Sequence, residues 1–340
     1  MPATIRDVAK LAGVSKAAVS YVLNGRKTSI KITDETRNRI LAAARQLNYH
    51  PNALARGLAH KRTDTVTLVM QYAYMFSGWS GFTNELMHSV SEAAHRLGYD
   101  LMLHTKDQPD FEREVAALTD GRADGALLLR DIDDPLAEVL TQRGFPCVLF
   151  FSRSNHSDIW YVDCDNVLGG RMATEYLLNL GHRRIMYIGG IHRSSAAMDR
   201  LAGYESALRH RGIIPRPDWM IELRYADASL EGVEAILRTP DRPTAVFAWS
   251  DEVAVRLMTL ARRMGLRIPE ELSIVGFDST ELCNHTHPPL TSVRQPIKEM
   301  AARALEMLSQ RIRGEEVAER QVLFPPTVVV RGSCAVPDKH

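Results

Sequence analysis

The sequence predicts two kinds of fold in one chain: a small all-α helix-turn-helix headpiece, then an α/β body of two doubly wound parallel-sheet subdomains. Three observations carry this. Charge is divided along the chain: residues 1–62 hold twelve Lys/Arg against three Asp/Glu, the remainder thirty against thirty-eight, although the whole is only net +1. The first fifty residues contain three short apolar repeats of helical spacing, punctuated by Gly13 and Ser15. From Thr65 onward, short apolar runs alternate with amphipathic segments, the pattern of βαβ units and parallel sheets. At 340 residues, 45% hydrophobic and 24% charged, the chain is globular and long for one domain. We divide it into 1–50 (headpiece), 51–62 (linker) and 63–340 (body in two subdomains).

The first helix is "IRDVAKLA", capped by Thr4, with Ile5, Val8, Ala9 and Leu11 at helical spacing. Gly13 stops it and Ser15 opens the second, "KAAVSYVLN". The buried stripe predicted here is Leu11, Val14, Val19, Val22 and Leu23, which leaves Ser15, Lys16, Ala17, Ser20 and Tyr21 facing outward. The third helix, "DETRNRILAAARQLNY", begins near Thr33 or Asp34 and is expected to bury Ile40, Leu41, Ala44 and Leu47. Two helices joined by a tight glycine turn and braced by a third place the second helix for the major groove of DNA. Ala17 and Ala18 keep that helix slim, Lys16 and Tyr21 offer hydrogen bonds to bases, and Ser15, Ser20 and Asn24 reach phosphates. Thr4 and Tyr49 complete the expected backbone contacts. The competing reading of the charge is a solvated basic helical face.

The run "TIRDVAKLAGVSKAAVSYVLNG", followed by "ITDETRNRILAAARQLNYHPNALARGLAHKRT", resembles the N-terminus of the lactose-repressor/galactose-repressor family of bacterial regulators, continuously over residues 4–63. The resemblance implies that Lys16, Ala17 and Tyr21 occupy base-reading positions. At the latter two the best-known members favour glutamine or threonine, and arginine. Ala17 reaches only a thymine methyl and Tyr21 makes no bidentate pair with guanine, so the family's operator consensus does not transfer there. "HPNALARGLA" reads as a short helix from Pro51, too short and too glycine-burdened at Gly57 to hold alone in water. By resemblance it is the hinge helix, which orders on DNA, with Leu58 as the minor-groove wedge beside Asn52 and Arg56. The alternative for Leu58 is a cap against its own domain.

In the body, "VTLVMQ", "YDLMLH", "GALLL" and "PCVLFF" read as strands, with helices around Asn84–Leu97, Phe111–Thr119 and Pro135–Arg143. A second set follows: the helix "GGRMATEYLLNLG", then "RIMYIG", "RLAGYESALRHRG", "TAVFAW", "DEVAVRLMTLARRMG" and "SIVGFD". "LTSVRQP", a long helix near Ile297–Ile312 and "VLFPPTVVVRGS" are expected to cross back between the halves. The resemblance implies a fold of the periplasmic-binding-protein type. Ligands of such folds sit at the carboxyl ends of strands, which nominates Asp165, Arg200, Trp249, Ser250, Asp251 and Asp278, with the aromatic region Tyr72, Tyr74, Phe76, Trp79 and Phe82. Carboxylates and arginine grip hydroxyls and aromatic faces stack on C–H surfaces, so the expected effector is a sugar or glycoside. By resemblance, Arg200 and Asp278 are recurrent effector contacts. Asp251 reads equally as a helix cap, and Tyr72 and Phe82 as core.

The nucleotide loops G-x-x-x-x-G-K-[ST] and G-x-G-x-x-G and the motifs H-E-x-x-H and G-x-S-x-G do not occur, so neither an enzyme nor a cofactor is expected. "CNHTH" sets Cys283, His285 and His287 at spacing open to metal, but without a fourth distant ligand it reads as a loop near the ligand mouth. The four scattered cysteines, the absence of an apolar leader in "MPATIRDVAK" and the lack of a membrane-length run predict a cytoplasmic protein with no membrane partner. The expected partners are a near-palindromic double-stranded DNA operator, a sugar-like effector and a second copy. With no leucine-heptad tail, the expected assembly is a homodimer. The competing functions are a solute-binding protein and, with no catalytic constellation behind it, an enzyme of the sugar-kinase or hydrolase type.

Overall fold

The computed structural model describes residues 3–24, 32–50, 62–71, 80–106, 108–190, 193–223 and 229–338. It contains two compact units: Met1–Thr65 with Gly121–Asp124, and Val66–Asp120 with Gly125–His340.

In the first unit, α1 (Ile5–Ala12) opens on a capping box in which Asp7 Oδ2 accepts from the Thr4 backbone N–H (2.8 Å) and from its hydroxyl (2.7 Å). Gly13 at φ 66° ends the helix in the left-handed conformation that glycine adopts without a Cβ penalty. Ser15 Oγ then accepts from Ala18 N (3.2 Å) and starts α2 (Lys16–Asn24). Thr33 caps α3 (Asp34–Gln46) by accepting from Thr36 N. The core is Val8, Ala9, Ala12, Val19, Ile40, Ala43 and Ala44, with Val14, Val22, Leu23, Leu47 and Tyr49 packed around it.

Two expectations are corrected here. Leu11 is 47% exposed, because Val8, Ala9 and Ala12 set the buried stripe and Leu11 falls off its centre. Leu41 is only half-buried, and Ala43 takes its place in the core. Beyond the linker, Asp124 holds the chain: Oδ1 accepts from the Thr63 N–H (2.7 Å) and hydroxyl (2.9 Å), and Oδ2 from Asp64 N (2.9 Å).

The second unit contains two six-stranded sheets. Sheet A comprises β1 (Thr65–Met70), β2 (Asp100–His104), β3 (Gly125–Leu129), β4 (Cys147–Phe150), β5 (Tyr161–Cys164) and β11 (Gln321–Phe324), in the order β11-β5-β4-β3-β1-β2. Sheet B comprises β6 (Ile185–Gly189), β7 (Met220–Glu222), β8 (Ala245–Ala248), β9 (Ser273–Asp278), β10 (Thr291–Arg294) and β12 (Thr327–Val329), in the order β12-β10-β9-β8-β6-β7. Central strands such as "GALLL" and "AVFA" are buried throughout, as parallel strands covered on both faces must be. Strand β10 pairs antiparallel with β12, Val293 facing Val328.

Helices cover both sheets: α4 (Gly81–Leu97), α5 (Phe111–Leu118), α6 (Leu136–Gln142) and α12 (Ile297–Arg313) belong to the first subdomain. The second holds α7 (Asn166–Asn179), α8 (Ser195–His210), α9 (Glu231–Leu237), α10 (Asp251–Arg263) and the short α11 (Leu282–His285). The chain passes between subdomains after β5, after β10, and between β11 and β12, so "VLFPPTVVV" does cross back as expected. No helix among the described residues is long and apolar enough to cross a membrane.

Helices α7 and α8 touch backbone to backbone. A Cβ on Gly170 would lie 2.2 Å from the Arg200 carbonyl oxygen, and one on Gly203 2.2 Å from that of Val167. This approach seats Arg200 in the interior. A Cβ on Gly81 would meet the Thr280 hydroxyl at 2.8 Å, a contact between the two subdomains.

Candidate functional site

The headpiece offers a polar face at the start of α2. Lys16 and Ala17 are exposed, and Ser20 and Tyr21 half-buried. Ser15 is exposed but uses its hydroxyl as the helix cap, and Thr4 directs its hydroxyl to Asp7. Those hydrogen bonds hold the Asp7 carboxyl below its usual range. Tyr49 lies against the headpiece core, and Asn24 ends α2. Asn52, Arg56, Leu58 and Tyr72 lie outside the described residues, as do Tyr74, Phe76 and Trp79.

In the second unit, Arg200, Trp249 and Asp278 come together at the carboxyl ends of β8 and β9. Arg200 is buried; its Nε donates to Asn166 Oδ1 (2.9 Å) and its Nη1 to the Trp249 carbonyl (2.5 Å). Its guanidinium lies 3.6 Å from the Phe277 ring centroid and 5.6 Å from that of Trp249. Asp278 ends β9 with φ 107°, a backbone strain that a non-glycine residue holds only where its surroundings fix it. Gln295 Nε2 donates to Asp278 Oδ1 (2.7 Å). Burial pushes the Asp278 carboxyl well above its usual range against the pull of Arg200, with nearby Asp251 pushing further. Arg200 Nη2 and Asp278 Oδ2 have no hydrogen bond among the described residues.

The other candidates have structural occupations. Asp165 caps α7 by accepting from Leu168 N (2.9 Å). Ser250, not Asp251, caps α10, with Val253 N donating at 3.4 Å. Asp251 is the first helical residue and gathers a buried network: Oδ2 accepts from the Thr280 N–H (2.8 Å) and hydroxyl (3.1 Å), Oδ1 from the Ser292 hydroxyl (2.5 Å). Phe82 packs edge-on against Phe151, centroids 5.0 Å apart. In "CNHTH", Cys283 is buried while His285 and His287 are exposed, so the three do not share a face. Burial raises the Cys283 thiol, and His285 Nε2 lies 3.4 Å from Glu281 Oε1.

Sequence reasoning missed Asp163, Asn166, Gln295 and the bridge from Arg153 to Asp199. That bridge joins the loop after β4 to α8 with two bonds, 2.8 and 2.6 Å, and so spans the subdomains. Arg193 also reaches across, its carbonyl accepting from Ile132 N (3.1 Å). Asp163 had a signal: an acid between Val162 and Cys164 in an otherwise apolar strand.

Comparison with known proteins matches both units. Residues 4–52 match the bacterial regulatory proteins of the lacI family, and residues 174–334 a periplasmic binding protein-like domain. The ribose operon repressor of Haemophilus influenzae is 33% identical over 97% of this chain and 98% of its own. The HTH-type transcriptional repressor PurR of Vibrio vulnificus is 33% identical, with the same coverage of both chains. A solved transcriptional regulator CelR–cellobiose complex is 33% identical with TM-score 0.71, covering 97% of this chain and 99% of its own. The Lac repressor dimer bound to operator and the anti-inducer ONPF is 26% identical with TM-score 0.83, covering 98% and 100%. Headpiece and binding-protein body together define a DNA-binding transcriptional repressor with an effector-binding domain, and not an enzyme. The chain belongs to the LacI family.

Proposed function

We propose that this repressor controls sugar-utilisation genes and answers to a small sugar or glycoside held between its two α/β subdomains. The observation that carries the reading is the open pair at the strand ends. Arg200 Nη2 offers a donor and Asp278 Oδ2 an acceptor, beside the ring of Trp249. A hydroxyl both donates and accepts, and a pyranose or furanose ring offers C–H faces to an indole. Asp165, Ser250, Tyr72 and Phe82 complete the proposed effector set.

On the DNA side, Lys16, Ala17 and Tyr21 read bases. Thr4, Ser15, Ser20, Asn24 and Tyr49 hold the backbone, and Leu58, with Asn52 and Arg56, enters the minor groove. The protein acts in the cytoplasm as a homodimer on a near-palindromic operator, with half-sites about 34 Å apart. Effector binding rearranges the paired subdomains and changes how the two hinge segments reach the operator, a coupling of about 1–3 kcal/mol. Resemblance to a cellobiose complex and to a ribose operon repressor supports the sugar reading.

The test is a thermal-shift screen of mono- and disaccharides, followed by gel shifts on genomic fragments with each hit. A sugar that stabilises the protein and changes its DNA retention is the expected result. Stabilisation by sugars without retention of any fragment would favour a solute-binding protein instead.

A further inference from the structure

Apart from Arg200 and Asp278, several buried polar atoms at strand ends and helix starts of the second unit lack a hydrogen-bond partner among the described residues. Gln71 Oε1 follows β1, Ser152 Oγ follows β4, and Asp163 Oδ2 lies in β5. Ser195 Oγ opens α8, Glu252 Oε1 lies in the first turn of α10, and Gln295 Oε1 follows β10. Four of the six are carboxyl or amide oxygens, acceptors whenever the carboxyl is ionised; the two hydroxyls do either. The orientation of Gln295 is fixed, because its Nε2 donates to Asp278. Buried acceptors without donors are costly, and a set of them at strand ends and helix starts is a template for what fills it.

Asp163 is the sharpest of the set. Its side chain is fully buried, and Oδ1 accepts from Cys164 N (2.8 Å) and Asn166 Nδ2 (3.3 Å). The charged groups facing it are Arg153 from the loop after β4 and Asp199 and Arg200 from α8; Tyr161 lies two residues before it on its own strand. Neither arginine is committed to Asp163. Arg153 spends two bonds on Asp199, and Arg200 is held by Asn166 and Trp249. Arg153 and Asp199 offset each other, and neither arginine donates to Asp163, so an anion set against Oδ2 meets an acceptor and no donor, while a hydroxyl or amine completes it.

Resting on the cleft reading above, we infer that the effector presents a hydrogen-bond donor, a hydroxyl or an amine, to Asp163 and carries no anionic group. Asp163 is then a specificity-determining residue that admits free sugars and amino sugars and rejects their phosphate esters and acid forms. Burial raises its carboxyl to about 7. A donor favours the ionised form, so a bound effector expels a proton below that pH. Affinity then falls as pH falls, approaching tenfold per unit.

The experiment measures thermal shifts and calorimetric affinities for ribose, cellobiose and glucosamine against ribose 5-phosphate, glucose 6-phosphate and gluconate. Wild type and Asp163→Asn are compared between pH 5.5 and 8. The expected hits come from the first set only, bind wild type more tightly as pH rises, and bind Asp163→Asn tenfold or more weakly without that pH slope. At pH 7.5 and above, where the carboxyl has ionised, ligand-free Asp163→Asn melts no lower than wild type, which separates ligand reading from a structural role. Tightest binding by a member of the second set leaves the cleft reading standing and overturns this inference. A hit whose affinity rises as pH falls overturns it too, since Asp163 would then be donating. Were Asp163→Asn not to fold, the ligand sets and pH slope on wild type still decide. No shift from either set overturns the cleft reading, and this inference with it.

Discussion

Arg200 and Asp278 share one buried electrostatic field yet make no hydrogen bond to each other. Asn166 and the Trp249 carbonyl hold the guanidinium, and Gln295 holds the carboxyl. Had the two closed into a bidentate pair, each would have consumed the other's capacity. Held apart, they leave one donor and one acceptor for a ligand, and the strained Asp278 backbone fits a site built to bind.

The approach of α7 and α8 that seats Arg200 depends on two glycines. Gly203→Ala or Gly170→Ala forces a methyl to within 2.2 Å of a backbone carbonyl, which side-chain adjustment does not relieve. Either change is expected to cost about 3 kcal/mol or more, read as a lowered urea midpoint. Gly232, inside α9, is the control, because a methyl there would meet nothing within 4 Å. At that position alanine is expected to stabilise by about 0.4–1 kcal/mol. Equal effects at both kinds of site would contradict the backbone contact.

Asp163 makes ligand-free stability depend on pH. Its carboxyl is raised from 3.8 unfolded to about 7 folded, so between those values the native state binds more protons than the unfolded state. The stabilising contribution is complete below about pH 4 and disappears as pH rises through 7. Wild type minus Asp163→Asn should therefore decline by roughly 3–4 kcal/mol across that window. Denaturant melts of both proteins at pH 4.5, 6 and 7.5 measure it, and a flat difference would remove the buried ionisable carboxyl from the account.

Much of this arrangement is legible in the sequence, because central strands of parallel sheets are continuous apolar runs and "GALLL" or "SIVGFD" admits few other readings. Even the last crossing shows, in two apolar runs parted by Pro325 and Pro326. What stays hidden depends on three dimensions. Leu11 looks like core until Ala9 and Ala12 define the stripe, and β7, three residues long, has no pattern to show. Asp165 and Ser250 are visible as strand-end polar residues, but their use as helix caps follows from where the next helix starts. Asn166 and Gln295 gain meaning only beside Arg200 and Asp278, which are distant in sequence.

The exposed position of Lys16 at the start of α2 leads to a prediction on DNA. Lys16→Ala is expected to weaken operator binding by about 1–3 kcal/mol and to relax preference at one base pair. Selection from randomised DNA with both proteins is the measurement. Uniform weakening of all sequences, with the salt slope reduced by about one, would assign Lys16 to phosphate instead.

The central claim is that operator reading and effector reading reside in separate parts of one chain and are thermodynamically coupled. It is tested most directly by titrating operator with and without a stabilising sugar, for wild type, Arg200→Ala and Leu58→Ala. In wild type the sugar should change operator affinity about 5–150-fold. Arg200→Ala should bind operator nearly as wild type does and lose the response to sugar, whereas Leu58→Ala should still bind sugar and lose operator affinity. A normal sugar response in Arg200→Ala, or full operator affinity in Leu58→Ala, would contradict the account.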